Sequence, residues 1–146
     1  MDKLNIDELV EQYRNDQAIL EEIQKNQKQK LCVILAYQMD GERYKYVEGY
    51  HSLPEYAEKV LHIKRELCYM YAKVGKRFLL SQNERIREIA EQIPVSNLSE
   101  IANLSDPEII LLFEDGYISG DSTQDQLRDI YKTFTEAKEE KDTLSL

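Results

Sequence analysis

Between Lys64 and Arg77 the chain carries five cations, Lys64, Arg65, Lys73, Lys76 and Arg77, against one carboxylate, Glu66. That is a local +4 in a chain whose formal net charge is −9. At helical spacing these cations and Tyr69 share one side, while Leu67, Cys68, Tyr71 and Val74 or Gly75 fall on the other. Guanidinium and ammonium groups on the free side of a packed helix are suited to phosphates and base edges, so the pattern points to double-stranded DNA. Lys64, Arg65 and Tyr69, at the helix start, are expected to reach base edges. Lys73, Lys76 and Arg77 are expected to hold phosphates.

Other chemistry is sparse. His51 and His62 are the only imidazoles, no glycine-rich phosphate loop occurs, and no Cys or His pair has zinc spacing. Glu136, Glu139 and Glu140 belong to a solvated charge run rather than a pocket. No enzyme activity, cofactor or metal is therefore expected. Cys32 and Cys68 sit in helical apolar runs, which predicts buried thiols rather than a disulfide.

The cations need an element to present them, and Leu53 to Phe78 reads as two helices joined by a tight turn. Ser52 caps the first, Pro54 sits in its first turn, and Glu55 completes a Ser-x-x-Glu capping box. Tyr56, Ala57, Val60 and Leu61 form its apolar stripe, which breaks at His62-Ile63 and restarts at Lys64. Such a break is the mark of a helix-turn-helix, whose second helix can enter a major groove.

These residues also resemble a known group. Tyr56, Glu58, Val60-Leu61, Ile63, Arg65, Tyr69, Tyr71, Val74 and Phe78 follow the order found in the helix-turn-helix of phage and plasmid proteins related to the ParB and KorB partition proteins. His62 stands where that pattern usually has Gly, and Lys64 where it has Ser. A looser likeness to the small helical segment that follows the motif runs through Leu98, Leu104, Pro107-Glu108, Gly116, Ile118-Ser119 and Leu127 to Ile130. The resemblance implies a regulator of transcription, replication or partition. Because a single helix-turn-helix usually gains affinity by pairing, a homodimer reading half-sites about 34 Å apart is expected.

The flanking chain reads as helix almost throughout. Five glycines and three prolines leave few turns for a sheet, so the expected fold is all-α: a helical bundle containing a helix-turn-helix, with a long N-terminal helix. Residues 1–40 form the N-terminal helical segment, with dimerisation as one role, and 41–80 the helix-turn-helix. Residues 81–137 form a C-terminal helical segment, and 138–146 a flexible tail. Within the first segment Ile6, Leu9, Tyr13, Leu20 and Ile23 fall on heptad a and d positions, a seam for a partner helix. Asp16 takes the d place between them, where a symmetric pair would bring two carboxylates together. An amphipathic helix lying on its own domain is the plainer expectation. Gln24 to Lys30 predicts a bend or exposed stretch, Leu31 to Tyr37 a core segment, and Gly41 the helix end. Ser96 and Ser99 each predict the start of a short helix.

Charge is segregated. Gly41 to Phe78 holds eight Lys or Arg and five Glu, +3, so the remainder carries −12. A basic reading face backed by acidic parts fits DNA binding. The same acidity supports an alternative, an acidic interaction module that retains the scaffold and docks on or inhibits a host or phage protein. No segment is apolar enough for a membrane span and no secretion signal is evident, so a cytoplasmic protein is expected.

Overall fold

The computed structural model describes residues 5–144, with side chains from 5 to 140, and every regular element among them is helical. The first, α1 (Ile6–Met39), is a single helix of 34 residues. Asn5 caps it by accepting the Glu8 N–H. The helix runs unbroken through residues 24–30, which are largely exposed, as the second of the two alternatives expected there. That stretch contains no Gly or Pro, and its Gln and Lys residues are good helix formers that need no burial. Gly41, at φ 61°, turns the chain out of the helix as expected.

Only the C-terminal part of α1 joins the body. Cys32, Leu35 and Ala36 are buried there, whereas Ile34 and Tyr37 face solvent, so Leu31 to Tyr37 is a one-sided contact rather than an all-round core helix. Residues 5–24 are exposed throughout. The expectation of an amphipathic helix lying on its own domain is thereby corrected.

A short helix, α2 (Arg43–Tyr46), leads into α3 (Leu53–Leu61). Tyr50 packs edge-on against Tyr56, with ring centroids 5.5 Å apart, and Tyr44 also packs on the core, leaving Tyr46 exposed. After the turn His62–Lys64 comes a continuous helical run from Arg65 to Leu79. It opens as 3-10 helix (Arg65–Leu67), continues as α4 (Cys68–Val74), and closes with a wider π turn (Gly75–Leu79). A Cβ on Gly75 would overlap the carbonyl oxygen of Cys32, so the two helices cross in direct backbone contact there. Only glycine permits that approach.

The C-terminal segment wraps the other side of this run. It comprises α5 (Glu84–Gln92), α6 (Val95–Ile101), α7 (Asp106–Glu114) and α8 (Gln124–Leu144). Ile86, Ile89, Ile93, Leu98, Ile101, Ile109, Ile118 and Leu127 join Phe78 and Val74 in one core. Pro94 ends α5 and stands at the start of α6, so Ser96 and Ser99 lie inside one helix instead of opening two. Ser105 and Glu108 form a reciprocal capping box on α7. Thr123 and Gln126 exchange the same pair of bonds at the start of α8. The tail expected over 138–146 is helical through Leu144, and residues 145–146 lie outside the described residues.

Candidate nucleic-acid interface

The interface is built from the turn outward. Ser52 Oγ accepts the Glu55 N–H at 3.2 Å, and the Glu55 carboxylate accepts the N–H of His51, one residue before the expected partner, at 3.0 Å. Lys59 donates to the same carboxylate at 2.8 Å. Lys59 and the His51 N–H hold Glu55 below the usual carboxylate range. The start of α3 is thus fixed by a shifted box rather than the strict one.

His62 closes α3 in the left-handed region, at φ 57° and ψ 39°, and both His62 and Ile63 donate N–H groups to the Ala57 carbonyl. This is where a glycine would fit without strain. A non-glycine residue holds the conformation because two hydrogen bonds and the half-buried Ile63 anchor it. Lys64 then adopts extended backbone at ψ 138°, and the next helix begins.

Along that helix the buried side is Cys68, Tyr71, Ala72, Val74, Gly75 and Phe78. Burial pushes the Cys32 thiol up to about 12 and the Cys68 thiol up to about 11, and both are unbridged. The opposite side presents Arg65, Tyr69, Lys73 and Lys76 in one line, spaced four, four and three residues apart, with Lys64 beside it. All five are exposed, Tyr69 at 59%. Lys64 and Lys76 have no ion-pair partner among the described residues. Among the described residues Lys73 Nζ donates to the Asn103 side-chain oxygen alone, at 3.4 Å.

Two of the five cations are ion-paired within the chain. Arg65 donates from Nε and Nη2 to the two oxygens of Glu58 on α3, at 3.0 and 3.3 Å, and holds that carboxyl below its usual range. Both partners are half exposed, so the pair is weakened by solvent and exchanges readily for another anion.

Arg77 is different. Its guanidinium donates to the Ala102 carbonyl at 3.0 Å, the Leu104 carbonyl at 2.8 Å and Asp106 at 2.6 Å, and lies over the Phe78 ring. It fastens the end of the helix to the loop between α6 and α7. The fork of donors expected for phosphates is occupied by that loop. Helical spacing alone places Arg77 beside Lys76; only the carbonyls of residues 25 and 27 positions downstream reveal its attachment.

The arrangement offers a line of donors and one aromatic ring on a helix whose reverse side is locked into the core. Among the described residues no helix is long and apolar enough to cross a membrane. Comparison with protein-family models, with curated proteins and with solved structures found no match.

Proposed function

We propose that the protein is a sequence-specific binder of double-stranded DNA, a regulator of phage or plasmid type acting in transcription, replication or partition. One observation carries this reading: Arg65, Tyr69, Lys73 and Lys76 form an exposed line on the second of two turn-linked helices, and among the described residues Glu58 is the one carboxylate engaged along it. The likeness of residues 53–78 to the helix-turn-helix of ParB- and KorB-related proteins supports it. Lys64, Arg65 and Tyr69 read base edges, with Arg65 leaving Glu58 to do so, while Lys73 and Lys76 hold phosphates. Arg77 keeps the reading helix in place instead of touching DNA.

The test is selection of bound fragments from a pool of random duplexes, followed by binding at several salt concentrations. Arg65→Ala relaxes the sequence preference. Lys76→Ala weakens all duplexes alike and reduces the salt slope by about one. Unchanged retention in both variants overturns the reading.

A second reading, an acidic interaction module for a host or phage protein, draws on the self-neutralised Arg65–Glu58 and Arg77–Asp106 pairs and on the −12 outside residues 41–78. Duplex retention at low salt separates the two. A DNA reader retains duplex and loses it steeply as ionic strength rises, and an acidic module does not retain duplex at any salt.

A further inference from the structure

The exposed part of α1 carries an apolar face that the described residues leave open to solvent. Ile6, Leu9, Val10, Tyr13, Ile19, Leu20 and Ile23 are all open to solvent, Ile6 at 65% and Tyr13 at 63%. In the heptad that puts Ile6 at a and Leu9 at d, every charged residue from 5 to 25 except Asp16 falls at b, c or f. The flanking e and g places hold Asn5, Val10, Gln12, Gln17, Ile19 and Gln24, all uncharged. With no charge at e or g, two copies of this seam can face each other without like-charge repulsion along its edges. It also lies on a different side of α1 from Cys32, Leu35 and Ala36, roughly a third of a turn away, so the body does not obstruct it.

Asp16 decides which way the second helix runs. In a parallel pair Asp16 faces its own copy in the middle of the seam. In an antiparallel pair with a two-fold axis between residues 14 and 15, the layers become Ile6 on Ile23, Leu9 on Leu20 and Tyr13 on Asp16. Each a residue meets a d residue, and apolar meets apolar. Asp16 now meets a phenol. Within the chain the Tyr13 hydroxyl oxygen accepts from Gln17 Nε2 at 3.1 Å, which leaves its proton to be donated to that carboxylate.

We infer that residues 6–24 of α1 pair with the same segment of a second copy in an antiparallel coiled coil, with Tyr13 opposite Asp16 of the other copy. This inference stands apart from the DNA reading and survives its failure. It adds a direction, a register and a named polar layer to dimerisation.

The test measures molar mass by sedimentation on the full chain up to about 100 µM. The natural chain is a dimer. Leu9→Lys lowers the association constant about tenfold or more by facing Leu20 with a charge. Adding Leu20→Glu restores the dimer, because Lys at 9 then meets Glu at 20 across an antiparallel seam only.

Cysteine pairing checks the register independently. Ile6→Cys and Ile23→Cys chains, mixed, form a disulfide dimer under mild oxidation, and neither forms one alone. A natural chain that stays monomeric over this range, a double variant no better than Leu9→Lys, or self-crosslinking by either cysteine variant overturns the inference.

Discussion

One helix serves two environments. At its C-terminal end, α1 is pressed against the helical run 65–79 so closely that Gly75 meets the backbone of Cys32. At its N-terminal end the same helix exposes seven large apolar side chains. Burial of small residues shapes the first region, and a regular apolar repeat the second. Helices of this length without tertiary support are marginal in water, so the free end needs a partner in a way the packed end does not.

The same substitution at the two ends sharpens the contrast. Leu35→Ala, in the core, costs about 3–4 kcal/mol of unfolding free energy. Leu20→Ala, read by denaturant titration at a dilution where the arms are apart, costs less than about 0.5 kcal/mol and shows itself only in the association constant. Equal costs in dilute solution would erase the distinction.

Gly75→Ala attacks the packed end directly. The added methyl meets a backbone carbonyl that cannot rotate away, so the helices must separate, at about 2–3 kcal/mol in a thermal or denaturant melt, while the arm's self-association is unaffected.

The smallest effect concerns the two thiols at that crossing. With folded values pushed up to about 12 and about 11 from the ordinary 9.0, the neutral thiols contribute fully below pH 9.0. That contribution is lost as pH rises through those folded values. Near neutral pH, labelling of Cys32 and Cys68 by a thiol reagent tracks unfolding, and fast labelling of either without denaturant would mean that the crossing opens.

Local signals proved the most legible. Ser52 and Gly41 mark helix ends where the structure has them, because caps and turns are decided by neighbours in sequence. The all-helical class follows from apolar periodicity for the same reason. Long-range partners were not legible. Nothing in the residues around Arg77 announces carbonyls 25 and 27 positions away, and nothing around Leu20 states that no part of the body covers it. For residues 24–30 polar composition left a bend or an exposed stretch open, and the stretch is largely exposed while its Gln and Lys extend the helix. The line of Arg65, Tyr69, Lys73 and Lys76 was visible from spacing, but the Arg65–Glu58 pair depends on the turn that brings α3 alongside.

The unbroken passage of α1 through residues 24–30 has a geometric corollary. Paired arms would set the two Cys32 positions about 50 Å apart along the helix axis, at 1.5 Å per residue, which is more than one turn of duplex DNA. Helical phase crosses that passage as well as length. One residue inserted there would rotate each body by about 100° around its arm, whereas seven would lengthen the spacer and nearly preserve the orientation. Two insertions that leave the folded body untouched would thus differ sharply in whether both copies face the same side of a common ligand.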